Sequence, residues 1–374
     1  MPYYADMSYV PGPVGEAWAD DLDGRDRAIA GLQRIRAALA REDGVPPRRN
    51  STLLLGTWNV REFDSTSWGE RLPEAFAYIA EIVSRFDLVA LQEVREDLRA
   101  LNRLRARLGT TWDYVVSDVT EGTAGNGERL AFLYDRNKVQ FLGIAGELVI
   151  PPVTVGRSKV PAAQIARTPL MAGFQVGWTK FMLATVHILY GESTAEPVAR
   201  IEEIAQVVKF LRQRTEEATE PLRNIILLGD FNIFSSDDRT FEALTEGGFT
   251  VPDKIQEIPG TNVPKDKKYD QIAYRARQGR FQGTGAAGVF DYYEHVLTRD
   301  EEATYRPYID DYIAERHAAG MKSPKQPTTD SGRRSQYLTW RTYQLSDHLP
   351  LWAEFDVDFS DEYLAALAEQ PRPS

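Results

Sequence analysis

The segment Asn224-Ile225-Ile226-Leu227-Leu228-Gly229-Asp230-Phe231-Asn232 runs four branched aliphatic side chains together and then breaks into glycine and polar residues. An unbroken apolar run of this length reads as a strand covered on both faces, within a sheet that has layers on either side. The same construction recurs along the chain. Leu53-Leu54-Leu55 leads to Asn59, Leu88-Val89-Ala90-Leu91 to Gln92-Glu93, and Phe181–Val186 to His187, while Ser346-Asp347-His348 directly precedes the last apolar run. Polar side chains are thus delivered at strand ends, where a rigid scaffold presents reactive groups.

Working outward, the pattern predicts strands at 52–58, 88–92, 113–117, 129–134, 139–148, 170–176, 181–187, 224–228 and 349–355. Helices are expected at 70–85, 94–108, 195–215 and 303–319. The 195–215 helix carries the stripe Val198, Ile201, Ile204, Val208 and Leu211, with Ser193 and Glu196 as a capping box. Strands in direct succession between 113 and 187 favour hairpins, hence mixed sheets with helices outside. The polar run 322–335 reads as an exposed loop or mobile insert. Residues 1–50 form an N-terminal helical extension, in which 25–41 carries Ile29, Leu32, Ile35 and Leu39 on one stripe and 44–50 is a breaker. Residues 51–358 are expected to form the main domain and 359–374 a tail.

The 374 residues hold 17 Tyr, 16 Phe and 7 Trp, ample for a large core, and no cysteine. Disulfides, zinc–thiolate sites and thiol nucleophiles are therefore excluded. No apolar run approaches the roughly 20 residues that cross a bilayer. Met1 to Pro13 lack a basic and then apolar leader, so a cytoplasmic location is expected, or secretion if a leader has been removed. The net charge of −11 argues against coating nucleic acid through a bulk positive field, but not against gripping a few phosphates locally.

The residue types at the strand ends suit one kind of chemistry. Glu93, Asp230, Asp347 and the amide oxygens of Asn59 and Asn232 are hard oxygen ligands, appropriate to magnesium, manganese or calcium. His187 and His348 are suited to orienting water and meeting a phosphate. With no serine or cysteine nucleophile arrangement visible, water is the natural attacking group. Each residue also has an ordinary alternative. His187 could be a satisfied core histidine, Asp230 and Asn232 an Asx turn, Glu93 a charge at a helix N-terminus, Asn59 a turn residue and Asp347 a cap.

Taken in order, Thr57-Trp58-Asn59-Val60, Leu91-Gln92-Glu93-Val94-Arg95, Gly229-Asp230-Phe231-Asn232 and Ser346-Asp347-His348, with His187 between the second and third, resemble the signature of the endonuclease/exonuclease/phosphatase superfamily. Glu128-Arg129 and Tyr269-Asp270-Gln271-Ile272 are most similar to segments of deoxyribonuclease I-type members, although Gln271 stands where an arginine is usual. The resemblance implies a four-layer α/β sandwich, two packed mixed sheets flanked by helices. It also implies a divalent-metal-dependent phosphodiesterase, with Mg²⁺ first and Mn²⁺ or Ca²⁺ as alternatives, acting as a monomer on nucleic acid, DNA above all. A small phosphorylated molecule, a cyclic nucleotide or a phosphoinositide is the alternative substrate.

Carried over by the same matches, Asn59 and Glu93 would hold the metal, assisted by Asp347, and Asp230 would orient or deprotonate water. Asn232 would steady the transition state, while His187 with Glu128 and His348 with Asp270 would contact the scissile phosphate. Which histidine faces the leaving group stays open. Arg95 and Arg167 would face substrate, Arg95 heading a helix-face series with Arg99, Arg103 and Arg107. That series is also readable as a solvated face. Lys265, Lys267, Lys268 and Arg341 are candidates for the rim.

Overall fold

The alternating burial of two neighbouring strands shows why their apolar runs have no polar side. Leu53, Leu55, Leu88 and Ala90 enter one hydrophobic core, while Leu54, Trp58, Val89 and Leu91 enter a second. Successive side chains point to opposite faces, so a strand between two cores must be apolar throughout. The structure is a computed structural model that describes residues 2–7, 18, 21–41, 43–63, 65–120, 127–156, 158–216, 222–276 and 281–369.

In chain order the strands are β1 (Thr52–Phe63), β2 (Leu88–Arg95), β3 (Trp112–Val116), β4 (Glu128–Asp135), β5 (Gln140–Glu147), β6 (Val153–Val155), β7 (Ser158–Val160), β8 (Leu170–Val176), β9 (Thr179–His187), β10 (Ile225–Asp230), β11 (Asp270–Arg275), β12 (Gln282–Val289) and β13 (Leu351–Asp356). One six-stranded sheet has the order β12-β13-β1-β2-β4-β3, a five-stranded sheet the order β11-β10-β9-β8-β5, and β6 pairs with β7 alone. Both large sheets are mixed, because β1 runs parallel to β2 and β9 parallel to β10 while their other pairings are antiparallel.

The helices are α1 (Leu22–Leu39), α2 (Pro73–Val83), α3 (Arg99–Leu108), α4 (Val198–Glu216), α5 (Arg239–Thr245), α6 (Asp253–Glu257), α7 (Glu302–Ala318), α8 (Asp330–Gln344) and α9 (Ser360–Ala368). Helices α1, α2, α3, α7 and α8 contribute to the core on the outer face of the six-stranded sheet, and α4 and α5 to the core that includes the five-stranded sheet. This is the expected sandwich of two mixed sheets flanked by helices. Close packing binds α1 to α2, since a side chain at Gly31 would meet the Tyr78 hydroxyl at 2.3 Å and Arg27 pairs with Glu74 at 2.9 Å. Among the described residues no helix is long and apolar enough to cross a membrane.

Three local expectations are corrected. The helix expected at 94–108 begins only at Arg99, because Val94 and Arg95 remain in β2, paired with Arg129 and Glu128 of β4. Arg95 is therefore not on a helix face with Arg99, Arg103 and Arg107. The helix expected from 195 starts at Val198, after Pro197, and the Glu196 carboxylate accepts the Arg239 N–H at 2.7 Å instead of closing a capping box with Ser193. The run 322–335 is not loop throughout, since Thr329 caps a helix by accepting the Gly332 N–H at 3.1 Å, and α8 continues to Gln344. Its buried side includes Arg341, Thr342 and Gln344 beside Tyr337 and Trp340, so the apolar stripe is too sparse to register in the pattern.

The sheets are locked together by an aromatic cluster. Phe174 of β8 meets Phe132 and Tyr134 of β4 at ring separations of 5.8 and 5.4 Å, and Phe141 and Phe181 of its own sheet at 5.9 and 6.2 Å. Phe174 is fully buried. Phe174→Ala is expected to lower unfolding free energy by about 3–5 kcal/mol, read from denaturant melts; a change below 1 kcal/mol would show that this contact does not hold the sheets.

Candidate active site

Strand register builds half of the site. Asp230, the last residue of β10, lies opposite His187 of β9 on one side and Asp270 of β11 on the other, so three polar residues form a row across adjacent strands. Gly229 makes the approach possible. Its φ is +133°, and a Cβ there would stand 2.1 Å from the Val186 carbonyl oxygen. Backbone contact this close tolerates no side chain.

The six-stranded sheet supplies the other half through a local break in its ladders. The pairing of β1 with β2 loses register between Asn59 and Phe63, and that of β2 with β4 between Leu91 and Val94. Glu93 sits in this gap with φ +60°, and Glu62 and Asn232 are also in the left-handed region, at +41° and +55°. Non-glycine residues are uncommon there, and such strain gathers where a side chain must be aimed. The result is that the Glu93 carboxylate accepts from Asn59 Nδ2 at 2.9 Å and from the Glu62 N–H at 2.7 Å.

Asp230 joins the halves. Its Oδ1 accepts the Asn232 N–H at 2.9 Å, which is the Asx turn read in the sequence, leaving Oδ2 for the site. Oδ2 accepts from Asn59 Nδ2 at 3.0 Å and faces Nε2 of His187 at 3.6 Å and Nε2 of His348 at 3.7 Å. Each imidazole has its own carboxylate behind it, with His187 Nδ1 2.7 Å from Glu128 Oε1 and His348 Nδ1 2.8 Å from Asp270 Oδ2. Arg167 Nε lies 2.6 Å from the same Glu128 oxygen. The Asn232 amide donates to the Ile188 carbonyl at 2.8 Å. The Ser346-Asp347-His348 loop is tied to β1, because Ser346 Oγ donates to the Asn59 carbonyl at 2.6 Å and Trp58 Nε1 to the His348 carbonyl at 2.9 Å.

A cavity of about 480 Å³ opens onto this group, lined by Arg61, Glu62, Glu93, Arg95, Glu128, Arg167, His187 and Asp347. Of the residues expected from the sequence, Glu93, Arg95, Glu128, Arg167, His187 and Asp347 line the cavity, and Asn59 and Asp230 touch that wall. Asn232 and His348 are joined to it through Asp230, and Asp270 stands behind His348. Asp347 is the most peripheral, with its side chain 43% exposed and Oδ2 3.3 Å from Arg61 Nη1. Glu93 is in a strand, not at a helix N-terminus. The lysines expected at the rim have other engagements. Lys265 pairs with Asp291 at 2.6 Å, Lys267 lies over the Phe234 ring at 4.2 Å, and Lys268 donates to Ser236 Oγ at 3.1 Å.

Two features lay outside the sequence reading. Arg61 lines the cavity; its position two residues after Asn59 on the same strand, hence on the same face, was the available signal. An aromatic group also flanks His348. The Tyr269 ring rests 5.5 Å from that of His348, Phe234 lies 5.7 Å from Tyr269, and Tyr190 joins them at 6.2 and 6.4 Å. Each follows or precedes a site residue by one to three positions, which periodicity alone does not flag.

Electrostatics follow from this crowding. Burial lowers the pKa of His187, but the carboxylates of Glu128 and Asp230 outweigh it and hold the imidazole above its ordinary value. Burial likewise opposes protonation of His348, and Asp270 and Asp230 overcome it by a wider margin. For His295 burial prevails and the pKa falls.

An α/β sandwich whose two sheets converge on buried carboxylate–imidazole pairs has the architecture of a hydrolase. Residues 56–348 match the Endonuclease/Exonuclease/phosphatase family, and the chain belongs to it, with a deoxyribonuclease I-like fold. A deoxyribonuclease of Thioalkalivibrio sp. (strain K90mix) is 29% identical over 195 residues, 50% of this chain and 48% of that protein. Deoxyribonuclease-1 of Bos taurus is 28% identical over 189 residues, 48% of this chain and 61% of that protein. The chain therefore spans about half to three-fifths of the length of these curated relatives. Among solved structures, D. rerio TDP2 complexed with single strand DNA product shares the fold at a TM-score of 0.50 and 16% identity, covering 82% of this chain and all of that one.

In NMR titration of the metal-free protein, His187 and His348 are expected to lose their protons above the ordinary 6.5 and His295 below it. A histidine whose pKa rises on folding stabilises the fold while protonated, and that contribution is lost as pH climbs through the folded value. Asp270→Asn should move the His348 titration downward; His348 titrating below 6.5 in the parent protein would contradict the pairing.

Proposed function

We propose that this chain hydrolyses phosphodiester bonds of nucleic acid, DNA in particular, by attack of water at the site centred on Asp230. The observation that carries this reading is that one Asp230 oxygen faces both imidazoles and the Asn59 amide. The deoxyribonuclease names of both curated relatives support DNA as substrate. In this reading residues 51–358 are the catalytic domain, 1–50 a helical extension whose α1 packs on α2 of that domain, and 359–374 a tail.

A divalent cation, Mg²⁺ or alternatively Mn²⁺ or Ca²⁺, fits the residues present. Among the described residues Asn59 Oδ1 is buried without a hydrogen-bond partner, and the half-buried Glu93 carboxylate adjoins it through Asn59 Nδ2. Glu93, Glu128 and His187 offer ligand atoms within 4.8 Å of one another. Asn59 and Glu93 would hold the ion, with Asp347 at the edge of the same cavity. When bound, it supplies a Lewis acid that polarises the phosphoryl oxygen and offsets developing charge.

The protein's own groups do the rest. The Asp230 carboxylate takes a proton from water as its oxygen bonds to phosphorus. The leaving oxygen departs with its electron pair and takes a proton from an imidazolium, His187 or His348, held charged by Glu128 or Asp270. The Asn232 amide and Arg167 steady the charge that builds on the phosphoryl oxygens. Arg95, in the cavity wall, is placed to meet a phosphate on the substrate side.

A second reading keeps the chemistry and changes the substrate to a small phosphorylated molecule. A cavity of about 480 Å³ and a net charge of −11 favour it. Plasmid, oligonucleotides and small phosphoesters assayed with and without chelator separate the two. Chelator-sensitive DNA cleavage is expected, reduced roughly a hundred- to ten-thousand-fold by Asp230→Ala or His348→Ala. Phosphate release from small esters with nucleic acid untouched would overturn the DNA assignment, and full activity of either variant would overturn the chemistry.

A further inference from the structure

Beside the catalytic cavity lies a second groove of about 750 Å³, and the two share Arg61 and Asp347 in their walls. One complete face of α8 forms much of its floor. Ser331, Arg334, Ser335, Leu338, Thr339 and Thr342 recur at the spacing of a single helical stripe. From first to last the stripe is about 16 Å long. Val263 and Pro264 form part of the wall, and Arg299 and Arg341 complete the set of arginines.

The charge of this groove runs against that of the chain. In a protein of net charge −11, its lining holds the guanidinium groups of Arg61, Arg299, Arg334 and Arg341 against one carboxylate, that of Asp347. Arg299 is exposed and makes no ion pair among the described residues. Arg334 has a side chain 47% exposed and shares Glu302 with Arg306, at 3.3 and 3.1 Å, so only part of its charge is met. Arg341 is anchored, donating to the Leu297 carbonyl at 2.8 Å with its guanidinium 4.0 Å from the Tyr293 ring, and among the described residues its Nε is buried without a hydrogen-bond partner. The Thr339 and Thr342 hydroxyls donate to the Ser335 and Thr339 carbonyls of their own helix, which leaves the exposed Ser331 and Ser335 hydroxyls beside Arg299 and Arg334. Hydroxyls set next to guanidinium groups are the donors that contact a sugar–phosphate backbone without reading its bases.

We infer that this groove holds the DNA strand flanking the scissile phosphate, making α8 a substrate track that extends the catalytic cavity. The inference rests on the proposed nucleic-acid substrate and names where several of its nucleotides lie, at about 3.4 Å of rise each. Binding there is sequence-independent and salt-sensitive. It makes the enzyme favour long strands over short ones, while hydrolysis of an ester too small to reach the groove does not depend on it.

The test is the Arg299→Ala/Arg334→Ala double variant of the full chain, with Ser335→Glu as a second, independent probe on the exposed face. Both are assayed on bis(4-nitrophenyl) phosphate and on DNA oligonucleotides of increasing length, after their unfolding midpoints are matched to the parent. Hydrolysis of the small ester is expected to stay within twofold. On long oligonucleotides kcat/KM should fall tenfold or more, chiefly through KM, and the slope of log KM against log salt should drop by about 1 to 2. If the parent cleaves DNA and both variants cleave long strands as it does, with the same salt slope, the track is overturned while the DNA reading stands. If the parent hydrolyses the small ester and leaves DNA intact, the DNA reading falls and takes the track with it.

Discussion

The contact on which the site depends is the one Asp230 makes across the two sheets. Its carboxylate ends β10 in the five-stranded sheet, is 1% exposed, and accepts from Asn59 of β1 in the six-stranded sheet. A buried carboxylate is costly unless paired and hydrogen-bonded. Here that demand is multiplied, because Glu93, Glu128 and Asp270 stand within the same few ångströms. Two imidazoles and the Arg167 guanidinium answer these four carboxylates, and one negative charge is left over even with both histidines protonated. That imbalance explains why both histidines are held above their ordinary pKa, and it leaves the charge of a site that suits a cation.

Reaching this arrangement costs local regularity. The ladders beside Glu93 break, Glu62, Glu93 and Asn232 take left-handed backbone, and Gly229 lets β10 approach Val186. The surrounding strands over-determine these positions, since Leu88, Ala90, Leu91, Ile226 and Leu228 are fully buried on either side. Irregular backbone at the strand ends and rigid apolar strands behind them are two parts of one construction: the first aims the side chains, the second keeps them aimed.

The apolar strands and the polar residues at their ends were legible in the sequence because both are local signals. A run such as Ile225–Leu228 has one physical reading, and Asp230, Asn232, Glu93 and His187 lie within a few residues of such runs. Signals that depend on tertiary partners were less legible. The hydrogen-bond ladder to Glu128 keeps Arg95 in β2, and a helical reading of the same stretch cannot detect a strand partner more than 30 residues away. Helix α8 hides because it buries arginine, threonine and glutamine with only two large aromatics. The low-complexity segment Gln282–Val289 becomes a strand solely by pairing with the edge of β13. Arg61 was within reach of period-two reasoning from Asn59, whereas the lysines at 265–268 form a charged run whose members are consumed by Asp291, Glu294, Phe234 and Ser236.

With Asp230 uniting the two sheets, Asn59 and Glu93 would hold a cation between them. Anomalous diffraction from crystals soaked in Mn²⁺ is the measurement that bears on this. The expected result is a peak bonded to the Glu93 carboxylate and the Asn59 amide oxygen, in the cavity beside His187, and its loss in Glu93→Ala crystals whose fold is unchanged. A peak bound elsewhere, or one that persists at this position without Glu93, would contradict it.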